Sequence, residues 1–244
     1  MIAVKLQGGL GNQLFQLAAA DTISAETGRT LCVTDRVSPK TVHTSENYFK
    51  SVFSEWNNCP VLPSPRIIVG ETLYKKSVWI NSSHKNLLLS GYFQNWSVVP
   101  PDFQSRIRLL NHPPLPGAFL HIRGGDYVNH GFHDIGLNRS YYQNAIEKFP
   151  AGTHFYVFTN DVEYAKQSPV LQTIFHTIVE SDEITSLSQM VACTSGGICA
   201  NSSFSWWGAY LNPDRTIVMP DKWSNDPSLN IKGYYFPGVH KCQV

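Results

Sequence analysis

Residues 119–128, FLHIRGGDYV, constrain the fold of this chain more than any other stretch. An apolar run of Phe119, Leu120 and Ile122 breaks at Gly124 and Gly125 and releases an arginine, an aspartate and a tyrosine. A buried strand that delivers polar side chains to its carboxyl end does so where open α/β sheets bind ligands. Arg123 is the anchor of such a site, because a guanidinium offers a planar fork of donors that matches phosphate oxygens and keeps its charge. The glycines behind it let a diphosphate approach the backbone. The same residues also admit a plainer reading, in which Arg123 pairs with Asp126 and fixes a turn.

The N-terminus carries a second strand, turn and helix. Residues 2–6 form an apolar strand, 7–13 (QGGLGNQ) form a glycine turn, and Leu14, Leu17, Ala18 and Ile23 fall on a helical period. A turn containing Gly9 and Gly11 at a helix start presents backbone N–H groups to an anion or an oxygen-rich sugar. It is neither a dinucleotide fingerprint, since Leu14 takes the third glycine's place, nor a P-loop, since no lysine follows. Asn12 and Gln13 add two amides able to bond hydroxyls, although an asparagine there also suits a helix N-cap. Residues 29–34 complete a β-α-β unit, and 35–76, with Pro39, Pro60, Pro63 and Pro65, read as variable loop and short helix. A strand at 87–90 runs into GYFQNW, whose aromatic faces and amides suit a sugar ring or a packed core.

The proline-rich segment 111–117 (NHPPLPG) marks a domain boundary, giving domains 1–112 and 113–244. Beyond the FLHIRGGDYV strand, His130, His133 and Asp134 have the composition of a metal site, but their loop setting reads as solvent-exposed. A helix follows at 140–149. The strand at 154–159 ends in Asn160 and Asp161; Asp161 either accepts from a guanine edge or caps the next helix. After a strand at 173–179, a helix at 185–193 and a strand at 197–200, the segment 201–212 (NSSFSWWGAYLN) reads as a strand-to-helix turn presenting hydroxyls and backbone N–H groups. A late strand at 217–219 precedes a tail read as coil or short helix returning to the first domain.

Composition narrows the partners. Nineteen basic against 18 acidic side chains leave a net charge of +1, which argues against nucleic acid or an anionic membrane as the main partner. No apolar run reaches the ~20 residues of a membrane helix, and the N-terminus lacks a signal peptide's parts, so the chain reads as soluble and cytoplasmic. Five scattered cysteines without metal spacing read as reduced thiols.

GGLGNQLFQ, GYFQ, FLHIRGGDYV and NSSFSWWGAYLN, in that order across residues 8–212, resemble the motifs of the α-1,2-fucosyltransferases of glycosyltransferase family 11. The resemblance implies a GT-B-like α/β fold of two Rossmann-type domains with the site in the cleft between them. The first domain would be the acceptor side and the second would bind GDP-fucose. It further implies inverting transfer of L-fucose to the 2-hydroxyl of a galactose-type sugar on an oligosaccharide acceptor, with no metal or other cofactor. The chain would be a bacterial or viral type without the membrane anchor of animal relatives.

The family pattern HxRRxDY falls on His121, Arg123, Gly124, Asp126 and Tyr127. By the resemblance Arg123 binds the β-phosphate, and His121 and Asp126 hold the nucleotide end. Asn201, Ser202, Ser203 and Ser205 contact phosphate, Asp161 meets the guanine, and Asn12 lies beside fucose and acceptor. Gly124 departs from the pattern, where a second arginine is expected; losing an oxyanion-type donor costs about a hundredfold in rate. Arg139 is a candidate replacement. Asp126, Asp134 and His121 are candidate general bases, and a loose transition state needs none. Two alternatives follow: a GDP-sugar-binding pseudoenzyme, motivated by Gly124, or a GDP-sugar transferase of another linkage.

Overall fold

The computed structural model describes residues 1–34, 48–56, 59, 64, 67–70, 86–138, 140–229 and 231–244. They form two compact units, 1–108 and 109–244. Residues 109–112, assigned by sequence to the first domain, belong to the second unit. The Leu110 N–H donates to Ser188 Oγ at 3.1 Å, and Leu115 N–H to the Ala192 carbonyl at 2.9 Å, so the proline-rich segment is laced to a helix of that unit.

The first unit is built on a parallel sheet of order β2-β1-β4-β3, comprising β1 (Ile2–Lys5), β2 (Leu31–Thr34), β3 (Ile67–Val69) and β4 (Leu87–Leu89). Helix α1 (Leu10–Thr27) joins β1 to β2 and ends at Gly28, whose φ of 64° is the left-handed cap that a glycine adopts without strain. Its alanines and leucines are buried. The short helix α2 (Phe103–Arg106) brings Phe103 against Trp56, and Arg106 over the Trp56 ring, where it pairs with the buried Asp21. Strand β3 was not legible as a strand, being three residues long within a stretch read as loop. Much of that stretch, residues 35–47 and 71–85 included, lies outside the described residues.

The second unit is a six-stranded parallel sheet of order β10-β9-β8-β5-β6-β7. Its elements run β5 (Ala118–Ile122), α3 (Tyr141–Ile146), β6 (His154–Thr159), α4 (Val162–Lys166), β7 (Phe175–Val179), α5 (Glu183–Ala192), β8 (Gly196–Ile198), α6 (Ser203–Tyr210), β9 (Thr216–Pro220) and β10 (His240–Cys242). The central strand β5 is buried throughout, as a parallel strand covered on both faces must be. Ala118, Leu120 and Ile122 belong to one core with Tyr141, Tyr142 and Ala145. Phe119 packs over Gly197, where a Cβ would lie 2.1 Å from its ring. Strand-end carbonyls that the ladder leaves open are taken by tyrosines: Tyr141 donates to Cys199 O at 2.6 Å and Tyr142 to His121 O at 2.9 Å.

The tail corrects the sequence reading. A short helical turn is present at Lys232–Tyr234, but the chain then adds a strand: His240–Cys242 pairs in parallel with β9 and edges the second sheet. Two of its three residues are exposed, so it carries no apolar alternation by which a strand is recognised.

Candidate active site

In the second sheet the chain leaves β5 for β6 and β7 on one side, while β8, β9 and β10 lie on the other. The carboxyl ends of β5 and β8 therefore flank a topological switch point, the position where open α/β sheets take ligands. Arg123 follows β5 and Asn201 follows β8. A shallow cleft opens there, lined by Arg123, Tyr127, His133, Asp134, Tyr164 and Asn201 among others.

Arg123 donates from Nη2 to Asp126 Oδ1 at 2.6 Å, and its guanidinium carbon lies 4.7 Å from the centre of the Tyr127 ring. The plainer reading of the pair is thus realised. Its Nε is buried without a hydrogen-bond partner, leaving an oriented donor available to an anion.

The turn behind it is held by two side chains from the end of β6. Asn160 Oδ1 accepts the Gly124 N–H at 3.0 Å and Asn160 Nδ2 donates to the Gly124 carbonyl at 3.3 Å. Asp161 accepts the Tyr164 N–H at 3.0 Å, capping α4, and the Gly125 N–H at 3.3 Å. Both carboxylate oxygens are engaged, so Asp161 acts as the cap that was its alternative reading, and contact with a guanine would compete with these bonds. Gly125 has φ of 59°, a left-handed turn suited to glycine. A Cβ on Gly124 would lie 2.8 Å from both Asp161 Cβ and Tyr164 Cδ1, so the space a larger side chain would need is filled.

His121 is 3% exposed, its ring 5.9 Å from that of Phe204, with Nδ1 unpartnered. Burial first and Arg123 second push its pKa down to about 3. At neutral pH its imidazole is therefore uncharged and weakly basic. The carboxylates are committed: Asp126 to Arg123, and Asp134 to the N–H groups of Asn129 at 3.0 Å and Gly136 at 3.2 Å. Tyr127 and His133 stack at 4.6 Å, and His130 lies 4.6 Å from His133. Among the described residues no group of three His, Cys, Asp or Glu is placed to hold a metal ion.

The 201–212 segment folds as a strand-to-helix turn, but its polar side chains face inward. Asn201 Nδ2 donates to the carbonyls of His133 and Trp223, each at 3.0 Å. Ser202 caps α6 by accepting the Phe204 N–H at 3.3 Å, and Ser205 donates to Ser202 O at 3.3 Å. Of the four residues expected at phosphate, Asn201, Ser202 and Ser205 are buried, whereas Ser203 is partly exposed at the first helical position. Asn225 Nδ2 donates to Gly131 O and Asp134 O, so Asn201 and Asn225 brace the loop lining the cleft.

In the first unit, β1 and β4 flank the corresponding switch point. Asn12 Oδ1 accepts from Gln94 Nε2 at 2.7 Å, linking the GGLGNQ and GYFQ motifs. Gln13 Nε2 donates to Gly8 O at 2.8 Å. Gly8 has φ of 79°, and a Cβ on it would lie 2.7 Å from Asn12 Nδ2. Gly9, extended, is the N-cap of α1 without a side-chain bond, so Asn12 is not the cap; Gly11 lies buried in the first turn. Asn12, Gly9 and Gly11 thus belong to one unit, and Arg123, Asp126, His121, Asp161 and the 201–205 residues to the other. Arg139 lies outside the described residues.

The model of glycosyl transferase family 11 matches residues 116–237, half of the chain, from β5 to the segment before β10. The chain belongs to this family. The Escherichia coli O-antigen biosynthesis glycosyltransferase WbnK is 34% identical over 115 residues, 43% of this chain and 38% of that protein's length. The E. coli α-1,2-colitosyltransferase is 27% identical over an alignment covering 94% of each chain. Among solved structures, the fucosyltransferase NodZ from Bradyrhizobium aligns with a TM-score of 0.54 at 14% identity, covering 87% of this chain and 93% of that one. This likeness, with the two parallel α/β units, makes the fold GT-B-like. Among the described residues no helix is long and apolar enough to cross a membrane.

Sequence reasoning noted Gln94 and Asn160 without finding their partners, and passed over Tyr164 and Arg215. Gln94 and Asn160 carried a signal, since each is an amide at a strand's carboxyl end. Tyr164 and Arg215 carried none, because their partners are distant in sequence.

Proposed function

We propose that this chain is an inverting transferase that moves L-fucose from GDP-fucose to the 2-hydroxyl of a galactose-type sugar on an oligosaccharide acceptor. The first unit, 1–108, serves the acceptor side and the second, 109–244, the donor. The observation that carries the reading is Arg123: it closes the strand at the switch point of the family-matched unit and keeps an unpartnered guanidinium nitrogen beside an open cleft. The name of one relative, an α-1,2-colitosyltransferase, supports the linkage, and the donor is that of the structural neighbour NodZ, an α-1,6-fucosyltransferase whose crystals were soaked with GDP-fucose.

In the reaction, the acceptor oxygen bonds to the anomeric carbon as the bond to the β-phosphate oxygen breaks, and the electron pair stays on GDP. Arg123 meets the charge developing on the diphosphate, with Ser203 and the backbone around it as neutral donors. The sequence has no DxD pair, so the charge is met by side chains and backbone and not by a divalent ion. The hydroxyl proton leaves late, to solvent or to the departing diphosphate, which fits the commitment of Asp126 and Asp134 to turns and the weak basicity of His121. Asn12, turned toward Gln94, bonds hydroxyls of the sugars.

The test is transfer by the purified protein from GDP-fucose to a panel of galactose-terminated acceptors, with and without EDTA, the linkage read by NMR. Product that survives EDTA, and a loss of about a hundredfold or more in Arg123→Ala, supports the reading. A second donor, GDP-colitose, which lacks the 3-hydroxyl of fucose, is motivated by the colitosyltransferase relative. Preference for it would change the sugar and keep the chemistry. GDP binding with no turnover from either donor would make the chain a binding protein, and no binding would refute the nucleotide site.

A further inference from the structure

We propose that Tyr164 is a second donor to the leaving diphosphate, its phenol hydroxyl working beside Arg123 where the family pattern has another arginine. The inference rests on the GDP-sugar reading above and assigns a residue to its leaving-group side.

Three observations converge on this side chain. Tyr164 lines the cleft together with Arg123 and Asn201. Its ring stands against Gly124, with Cδ1 at 2.8 Å and Cγ at 3.1 Å from the position of a Cβ there, so it occupies the volume through which a side chain at 124 would leave the backbone. Its hydroxyl is oriented: Asn138 Nδ2 donates to the phenol oxygen at 2.9 Å, and Asn138 Oδ1 in turn accepts from the buried Ser168 Oγ at 2.7 Å.

The last observation fixes the polarity. A phenol has one hydrogen to give and lone pairs to receive. With the Asn138 amide donating to the oxygen, the hydroxyl hydrogen is directed elsewhere, and the Arg123 guanidinium lining the same cleft makes it a place for an anion. A neutral donor to a phosphate oxygen is weaker than a guanidinium but still charge-assisted by the acceptor, and its strength grows as charge builds on the leaving oxygen. Gly124 is then not a hole in the site. Its small size admits Tyr164, and the tyrosine replaces the function along with the volume.

Tyr164→Phe keeps the ring against Gly124 and removes the hydroxyl. The expected result is a folded protein whose stability falls by no more than the loss of the Asn138 bond, with kcat reduced about tenfold or more and a smaller change in KM, because the bond is strongest when charge has developed. The double variant Gly124→Arg/Tyr164→Ala vacates the ring's space and supplies a cation, and it should exceed Tyr164→Ala in turnover. Asn138→Ala, which releases the hydroxyl from its orienting amide, should show part of the Tyr164→Phe loss. A wild-type enzyme that transfers, with a Tyr164→Phe variant of equal kcat and equal GDP affinity, overturns the role of the tyrosine and leaves the GDP-sugar reading standing. A wild-type protein that neither binds GDP nor transfers overturns the underlying reading and this assignment together.

Discussion

The carboxamide of Asn160 and the peptide of Gly124 are joined in both directions, N–H to Oδ1 at 3.0 Å and Nδ2 to carbonyl at 3.3 Å. One side chain at the end of β6 thereby fixes the turn that follows β5, and with it the direction in which Arg123 leaves the backbone. Asn160→Ala removes both bonds and should cost about 1–2 kcal/mol of stability. Asn160→Asp keeps the acceptor and loses the donor. If the amide positions Arg123, both variants raise the Kd for GDP, and Asp less than Ala; calorimetric titration beside urea unfolding separates the binding loss from the stability loss.

Gly124→Arg, made alone, should not improve the enzyme. Its Cβ would lie 2.8 Å from a side-chain carbon of Asp161 and from the Tyr164 ring, neither of them the free end of a flexible chain. Forcing an atom into filled space costs about 1–3 kcal/mol. The expected outcome is a lower urea midpoint with transfer at or below that of the wild type. A large gain in turnover at unchanged stability would contradict the packing argument and mark the glycine as a decayed site.

Burial of His121 gives a pH dependence whose sign is determined. Its pKa falls from 6.5 to about 3 in the folded chain, first by burial and then by Arg123. Between those values the unfolded chain binds a proton that the folded chain refuses, so stability is fully present above pH 6.5 and declines as pH falls toward 3. From pH 7.5 to pH 5 the loss from this residue should be on the order of 2 kcal/mol. His121→Gln, which does not titrate, should show a flatter profile of unfolding free energy over that window. Parallel wild-type and variant profiles would refute the assignment.

How far the sequence disclosed this arrangement depended on the range of the interaction. Strand β5 and the turns at Gly8 and Gly124 were legible because apolar runs broken by glycine carry their own local signal. Strands β3 and β10 were not, since three residues at a sheet edge are too few to carry a periodicity. The site divided in the same way. Arg123 and its pairing with Asp126 lie three positions apart and could be read directly. Asp161 was visible as a carboxylate at a strand end, but its choice of Gly125 and Tyr164 as partners depends on the neighbouring strand. The serines of the 201–212 segment were recognised as a turn, but Ser202 and Ser205 turn inward while Ser203 does not, because composition does not say which side of a cap faces inward.

Arg215 shows the long-range case and supplies the last prediction. It follows α6 and precedes β9, and its guanidinium gathers the carbonyls at the ends of two helices. Nη1 bonds Met190 O at 3.0 Å, and also Cys193 O, near the end of α5; Nη2 bonds Gly208 O and Nε bonds Asn212 O at the end of α6. Helix carboxyl ends carry partial negative charge and unpaired carbonyls, so one half-buried cation serves both. Burial lowers its pKa to about 10, which leaves it charged at any working pH. Arg215→Met keeps the aliphatic stem and abandons the carbonyls, and it should cost about 3 kcal/mol or more in urea unfolding. Arg215→Lys keeps the charge without the fork and should fall between the two, since a single ammonium cannot span both helices. A Lys variant as stable as the wild type would show that charge alone suffices; a Met variant within about 0.5 kcal/mol would show that water replaces the lost bonds.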